Sequence, residues 1–168
     1  VRHGRPADLS ALLRARGWSE AVVKPAVSGG GFCTRLVREG RDADQEALDE
    51  ALAHCDALIQ PYLPEIAGEG EWSFVFIDGR FSHAVLKTVK PGDFRVQEHF
   101  GGAAVRAEPE ELLARAESAL AAAPGPWLYA RVDGVRRGSE LLVMEIELIE
   151  PFLYLALAPG SALRLASA

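Results

Sequence analysis

The sequence predicts an α+β fold in which helices and antiparallel strands are mixed rather than regularly alternating. Two observations predict antiparallel strands. An Asp78-Gly79 turn separates two strand-like runs, which is a strong hairpin signal. Two further strand-like runs are joined across Gly138. A third observation, apolar residues at helical spacing in residues 44–55, predicts at least one amphipathic helix.

The N-terminal third predicts two helices and two short apolar strands. Asp8 can cap a first helix and Gly17 can end it. A buried strand is expected at residues 20–26, and a brief apolar strand at residues 57–60 follows the amphipathic helix.

A glycine run interrupts these elements. Three consecutive glycines, Gly29 to Gly31, follow Ser28 and cost too much conformational entropy to lie inside a helix or a strand. We therefore expect a mobile loop here.

The remaining residues predict a β-rich region with one long helix, which Pro109 starts. The expected elements, in chain order, are a linker at residues 61–70, strands at 72–77, 81–89 and 94–99, a helix at 108–123, and strands at 127–135 and 141–148.

Composition and charge exclude several function classes. The 168 residues carry a formal net charge of -6, and no basic stripe is present that could neutralise nucleic-acid phosphates. No apolar run approaches the roughly 18 residues that cross a bilayer, and the N-terminus lacks the layout of a secretion signal. We expect a cytoplasmic protein with neither nucleic-acid nor membrane partners. Cys33 and Cys55 form no disulfide framework and have no metal-ligand spacing.

The two strands joined across Gly138 carry acidic residues within the strands. Residues two apart on a strand share a face, so Glu145 and Glu147 point the same way. With a three-residue loop centred on Ser139, Asp133 lies opposite Glu145 on that face, at about 5 Å between the side-chain bases. Three carboxylates are therefore predicted to converge.

Such an acidic cluster needs a counter-charge, because like charges about 4 Å apart repel by roughly 4 kcal/mol in a partly buried site. A divalent cation is the simplest counter-charge, and all-oxygen ligands favour Mg²⁺ or Mn²⁺. The alternative is a solvated strand face whose acids pair with Arg131, Arg136 or Arg137. The spacing alone leaves both open.

Five motifs occur in an order that resembles the ATP-grasp enzymes. They are Val22-Val23-Lys24-Pro25, the glycine run, Ile59-Gln60-Pro61-Tyr62-Leu63, Gly92-Asp93-Phe94-Arg95, and Asp133 with Glu145-x-Glu147-x-x-x-Pro151. The chain is most similar to the branch of glutathione synthetase and the ribosomal-protein S6 modification enzyme, which includes the cyclo-ligase that closes the cycloserine ring. The resemblance spans nearly the whole chain.

This resemblance implies an ATP-grasp fold, in which two lobes of antiparallel sheets and helices sandwich ATP. Residues 1–61 are expected to form the small lobe with its glycine-rich flap, and residues 62–168 the large lobe with the metal-binding hairpin. The family's N-terminal domain and a second phosphate-binding lysine are expected to be missing upstream of Val1.

The resemblance also implies phosphate-binding residues. Lys24 is expected to meet the ATP phosphates; by itself, a lysine that ends a buried strand either snorkels to water or binds an anion. The flap is expected to cover the phosphates with backbone amides, although a plain surface loop is the alternative. The flap residues are Ser28, Gly29, Gly30 and Gly31.

Adenine and ribose contacts are implied further along the chain. The hinge between the lobes is expected to recognise adenine through the Gln60 side chain and the main chain near Tyr62 and Leu63. An acid that follows holds the ribose in the family. Glu65 and Glu71 both qualify, and Glu71 is favoured because it immediately precedes a strand, although both could be exposed loop acids.

The catalytic residues implied by the resemblance are Lys24, Arg95 and Arg131. Arg95 resembles the arginine that grips the transferring phosphoryl group. Arg131 shares the face of Asp133 and either contacts substrate or neutralises the acids. The implied metal ligands, for Mg²⁺ or alternatively Mn²⁺, are Asp133, Glu145 and Glu147. The family usually has asparagine where Glu147 lies, and glutamate keeps an oxygen ligand but adds a negative charge.

The function implied is that of an ATP- and Mg²⁺-dependent ligase that joins a small-molecule carboxylate, such as an amino acid or a peptide, to an amine through an acyl phosphate. A homo-oligomer is left open. The alternative is a non-catalytic nucleotide-binding or interaction module derived from this fold, and a purely structural α+β domain is a third hypothesis.

Overall fold

The computed structural model describes residues 1–90, 96 and 101–168. The chain divides into two compact units, Val1–Leu63 and Pro64–Ala168. The predicted strand at residues 94–99, and with it the predicted phosphoryl-gripping Arg95, lies outside the described residues apart from Val96.

The unit Val1–Leu63 contains a three-stranded antiparallel sheet and two helices. Strand β1 (Glu20–Pro25) lies between β2 (Arg35–Arg38) and β3 (Ala57–Pro61). Helices α1 (Leu9–Arg16) and α2 (Asp42–His54) supply the rest of its core. The buried side chains of this core include Leu9, Leu13, Val23, Val37 and Leu48.

The boundaries of α1 are those that the sequence predicts. Asp8 accepts a hydrogen bond from the backbone amide of Ala11 at 2.8 Å, which satisfies one of the unpaired donors of the first turn. Gly17 adopts a left-handed conformation with φ 65°, which ends the helix.

Strand β2 was not expected from the sequence. It is a four-residue edge strand in which only Val37 is buried, so the alternation that marks a strand is too short to recognise. Between β1 and β2 the glycine run adopts neither helix nor strand, and Gly30 and Gly31 have positive φ angles of 61° and 75°. The interruption of regular structure is as predicted.

The unit Pro64–Ala168 contains a five-stranded antiparallel sheet in the order β6-β5-β4-β7-β8. Its strands are β4 (Glu71–Ile77), β5 (Arg80–Thr88), β6 (Ala103–Ala107), β7 (Tyr129–Arg137) and β8 (Glu140–Glu147). The predicted hairpin between β4 and β5 is confirmed. Asp78 and Gly79 both have positive φ, as a tight two-residue turn requires.

Helix α4 (Glu110–Ala121) packs against one face of this sheet, with Leu112, Ala116 and Leu120 buried. Strand β6 was not expected from the sequence, and neither were three short helical elements: α3 (Glu65–Gly68) within the predicted linker, a 3-10 turn at Leu155–Leu157, and α5 (Ser161–Ser167). Each spans two turns or fewer, so hydrophobic periodicity gives little signal. None of the described helices has the length and apolar character that a membrane span requires.

Candidate functional site

Alternate residues of the five-stranded sheet point to opposite faces, and both faces are largely buried in the central strands β4, β5 and β7. We call the face under α4 the core face; Trp72, Phe74 and Phe76 of β4 lie on it. We call the opposite face the polar face. It carries Glu71, Ser73, His83, Lys87, Arg131, Asp133, Glu145 and Glu147.

The connection between β7 and β8 differs from the predicted loop. Arg137 pairs with Glu140, so the turn has two residues, Gly138 and Ser139, rather than three. Gly138 supplies a positive φ of 62° at the first turn position. On its own, a shorter turn would shift the register by one residue.

An irregularity in β8 restores the predicted pairing. Gly134 pairs with Val143, whereas Asp133 pairs with Glu145, so Met144 is an extra residue that forms a bulge. Asp133 therefore lies directly opposite Glu145, as the sequence predicts. The pairing arises from a two-residue turn plus a bulge, and the predicted three-residue loop is wrong.

The hairpin brings together the three carboxylates that the sequence singled out. One oxygen from each of Asp133, Glu145 and Glu147 lies within 4.8 Å of the others. Asp133 is buried, Glu147 is half-buried and Glu145 is exposed, so the group runs from the interior to the surface. We call this group the carboxylate triad. Its role in metal binding stays a prediction.

Lys87 is a member of this site that sequence reasoning missed. It is only 5% exposed, and its Nζ donates hydrogen bonds to Asp133 Oδ2 at 3.1 Å and to Glu71. A lysine near the end of a strand usually reaches solvent. Only the pairing of β5 with β4, which sets Lys87 opposite Glu71, reveals its position.

Arg131 is engaged by the acids on its own face. Its Nε donates to Asp133 Oδ1 at 2.9 Å and its Nη2 donates to Asp133 Oδ2 at 2.8 Å, which is a bidentate pair. Nη2 also donates to Glu147, and Nη1 donates to the backbone carbonyl of Phe152 at 2.9 Å. The structure shows that Arg131 pairs with the acids, and its contact with a substrate stays a prediction.

These contacts set the protonation of the buried acids. Burial alone would raise the pKa of Asp133, but Lys87 and Arg131 outweigh it and hold that pKa below its ordinary value. Ser73 contributes by donating to Asp133 at 2.6 Å. Burial raises the pKa of Glu71 despite the neighbouring Lys87, and burial likewise raises the pKa of Glu147.

The residues around Asp133 suit a divalent cation. Four carboxylates of the polar face (Glu71, Asp133, Glu145 and Glu147) lie close to one another, and Lys87 and Arg131 pair with three of them. The triad offers only oxygen ligands, which Mg²⁺ and Mn²⁺ prefer.

The predicted phosphate-binding residues lie in the unit Val1–Leu63. Lys24 is half-buried in β1 and pairs with Leu58 of β3. In the flap, Ser28, Gly29 and Gly30 are exposed and Gly31 is half-buried.

The predicted adenine-binding hinge belongs to the same unit. Gln60 lies in β3 opposite Val22. Tyr62 and Leu63 follow directly and are half-buried, and the amide of Tyr62 donates to the carbonyl of Glu20 at 3.2 Å. Their nucleotide contacts remain predictions.

The two candidate ribose ligands have different surroundings. Glu65 Oε1 accepts from Arg137 Nε at 2.5 Å, and its Oε2 is buried without a hydrogen-bond partner among the residues that the structure describes. Glu71 is 9% exposed and bonded to Lys87, so it is a member of the polar face rather than an exposed loop acid. Neither assignment to ribose is tested.

No family model matches the chain. It is 34% identical over 128 residues to the cycloserine biosynthesis protein DcsG of Streptomyces lavendulae, covering 66% of this chain and 40% of that protein. It is 30% identical over 145 residues to a probable alpha-L-glutamate ligase 2 of Shewanella frigidimarina, covering 84% of this chain and 47% of that protein. The chain thus spans less than half the length of these curated relatives.

Solved structures match nearly the whole chain. D-cycloserine synthetase DcsG superposes with a TM-score of 0.81 at 29% identity, covering 99% of this chain and 62% of that one. D-alanine–D-alanine ligase from Bacillus anthracis, complexed with ATP, superposes with a TM-score of 0.69 at 21% identity, covering 99% and 56%. The ATP-grasp ligase PsnB gives a TM-score of 0.57 at 18% identity, covering 94% and 46%. The predicted α+β architecture, in which helices are combined with antiparallel sheets, is confirmed.

Proposed function

The chain belongs to the ATP-grasp superfamily, and on that premise we propose that it is the nucleotide-binding part of an ATP- and Mg²⁺-dependent ligase that joins a carboxylate to an amine. The observation that carries the proposal is the carboxylate triad, with oxygens within 4.8 Å of one another on the polar face. The names of the relatives, which include ligases, support the reaction class.

In this proposal Asp133, Glu145 and Glu147 hold the metal, which supplies positive charge to the ATP phosphates. Lys87 and Arg131 both donate hydrogen bonds to Asp133, which orients it and keeps it ionised. Much of the protein's contribution is therefore electrostatic and is in place before any ligand binds.

The unit Val1–Leu63 supplies the phosphate and adenine contacts in this proposal. Lys24 and the backbone amides of the flap bind phosphates, and Gln60 with the main chain near Tyr62 and Leu63 recognises adenine. Glu71 or Glu65 binds the ribose. Arg95 is assigned to the transferring phosphoryl group.

The reaction proposed has two steps. A carboxylate oxygen of the substrate attacks the γ-phosphorus, the bond to the β-phosphate oxygen breaks, and ADP leaves. The amine nitrogen then attacks the acyl carbon, inorganic phosphate leaves, and the nitrogen loses a proton to give the amide. The substrates are a small-molecule carboxylate, such as an amino acid or a peptide, and an amine.

A second candidate function is a nucleotide-binding module without catalysis. Arg131 already pairs with both Asp133 and Glu147, so these two acids share a counter-ion without a metal. ADP release that depends on an added amino acid or peptide together with an amine supports the ligase. ATP binding without such turnover in any combination supports the module.

Glu145→Gln tests the metal assignment. Because Glu145 is exposed, the change should leave the fold intact and the circular dichroism spectrum unchanged. It should weaken Mn²⁺ binding, measured by electron paramagnetic resonance of the free ion, at least tenfold, and it should abolish Mg²⁺-dependent turnover. Glu140→Gln is a matched control, since Glu140 is an exposed acid of the same hairpin that pairs with Arg115. Mn²⁺ affinity and turnover equal to those of the unchanged chain would remove the assignment.

A further inference from the structure

A chain of hydrogen bonds attaches the segment around Leu153 to the polar face. His83 lies in β5, is 2% exposed, and has Nε2 at 2.9 Å from the carbonyl oxygen of Leu153. A carbonyl oxygen can only accept, so Nε2 carries the proton and donates it. Burial, together with repulsion from Arg106 and Arg164, lowers the pKa of His83 and keeps the ring neutral.

The other ring nitrogen then has a defined role. In a neutral imidazole with Nε2 protonated, Nδ1 is an acceptor, and Ser82 Oγ lies 2.9 Å from it. Arg164 Nη2 donates to the same hydroxyl at 2.9 Å. The direction of every hydrogen bond is therefore fixed, from Arg164 through Ser82 and His83 to the carbonyl of Leu153.

A bulge in β5 allows this series of hydrogen bonds to form. Val75 pairs with His83 and Phe76 pairs with Phe81, so Ser82 is the extra residue between them. Bulges re-aim side chains locally, and this one brings the hydroxyl of Ser82 to the ring of its neighbour.

The anchored segment contributes an aromatic side chain to the site. The Tyr154 ring lies 5.9 Å from the guanidinium carbon of Arg131 and packs edge-on against Phe152 at 4.8 Å between ring centroids. Tyr154 has a φ of 51°, a left-handed conformation that non-glycine residues adopt only where surrounding contacts impose it. Here the carbonyls of the two preceding residues are held by Arg131 and His83.

We infer that Tyr154 is a further residue of the site and that His83 is the positioning residue that holds its ring against Arg131. The guanidinium of Arg131 lies over this ring and at the same time pairs with Asp133 and Glu147, two members of the carboxylate triad. This inference rests on the proposed function, which supplies the ligand of the site. That ligand is a divalent cation together with the anionic group bound to it. The position of Tyr154 can be tested without that ligand.

Fluorine NMR of the full chain labelled with 3-fluorotyrosine tests the positioning directly. The chain has three tyrosines, so three resonances are expected, and Tyr154→Phe identifies the one in question. In His83→Leu this resonance should move towards that of free 3-fluorotyrosine, because the donor to Leu153 is lost. His83→Gln keeps an amide donor near the position of Nε2 and should restore the original resonance.

Controls separate positioning from general damage to the fold. His54→Leu, a change at an exposed histidine of α2, should leave the Tyr154 resonance in place. If His83→Leu does not fold by circular dichroism, Ser82→Ala serves instead, because it removes the donor to Nδ1 and should displace the resonance in the same direction by less. An unchanged resonance in the folded variant, or a failure of His83→Gln to restore it, overturns the inference.

Mn²⁺, which is paramagnetic, links the positioning to the site. Titration with the metal alone should broaden the Tyr154 resonance of the unchanged chain, and the broadening should weaken in His83→Leu. Equal broadening in both chains overturns the role of His83 in the site. If Mn²⁺ broadens no resonance of the unchanged chain while His83→Leu still displaces Tyr154, the proposed metal site fails and the positioning stands.

Discussion

In the central strands of the five-stranded sheet the core face and the polar face are both largely buried, but they make opposite contributions to stability. On the core face, burying a side chain such as Phe74 stabilises the fold by roughly 1.5–3 kcal/mol. On the polar face, Lys87 and Asp133 are 5% and 1% exposed, and removing each ion from water costs several kcal/mol, which only good pairing offsets. The difference indicates that the core face maintains the fold, whereas the polar face maintains an arrangement of charges.

The largest effect on stability is expected at the core face. Phe74→Ala removes a side chain with 0% exposure and should lower the free energy of unfolding by about 4 kcal/mol, because apolar contacts are lost and a cavity remains. Urea denaturation measures this loss. Val105→Ala, at a 55% exposed position of β6, should change the free energy of unfolding by less than about 0.5 kcal/mol. A loss below about 1 kcal/mol at Phe74 would break the contrast between the faces.

A smaller effect is expected when the polar face loses one cation. Lys87→Met leaves Glu71 without its partner and should lower the free energy of unfolding by about 3 kcal/mol. The loss is no larger because Arg131 still pairs with Asp133. Adding Glu71→Gln removes the unpaired acid. The free energy of unfolding of the double variant should therefore fall by less than the sum of the losses in the two single variants. Arg115→Met, which removes a cation from an exposed pair, should cost less than about 1 kcal/mol. Strict additivity would show that Lys87 and Glu71 are not coupled.

The smallest effect concerns pH. Burial raises the pKa of Glu71 above its ordinary value, so between these two values the folded chain holds a proton that the unfolded chain has lost. The free energy of unfolding should therefore fall as pH rises through this window, and Glu71→Gln should flatten the fall. Urea denaturation from pH 4 to pH 7 measures it. A steeper fall in the variant would contradict the raised pKa.

Asp133 should act in the opposite direction. Its pKa is lowered, so its contribution to stability is present above the ordinary value of an aspartate and is lost as pH falls through its folded value. The two acids therefore affect stability in different pH ranges. Glu71→Gln should leave the free energy of unfolding unchanged in its pH dependence below the ordinary pKa of an aspartate.

The hairpin shows how far the sequence could predict the site. Alternation of residue types predicted that Asp133 faces Glu145, and this pairing is correct. The predicted route to it was wrong, because a two-residue turn plus one bulged residue gives the same register as a three-residue loop. Bulges have no clear sequence signal, so Met144 could not be recognised as the extra residue in advance.

Short elements and distant pairings could not be predicted either. Strands β2 and β6 have four and five residues with little buried surface, so neither shows a full alternation. His83 gave no sequence signal as a site residue, since its partner Leu153 lies far along the chain, as does Arg164, which donates to the adjacent Ser82.

The sequence by itself determined the α+β class, the hairpin at Asp78-Gly79 and the face on which Asp133 and Glu145 lie, because turn chemistry and a period of two are local properties. Only the tertiary structure decided that Lys87 lies against Asp133, 46 residues away, and that Arg131 donates hydrogen bonds to the acids. Strand order and burial are collective properties of the sheet. They determine which charges meet, and no spacing along the chain encodes them.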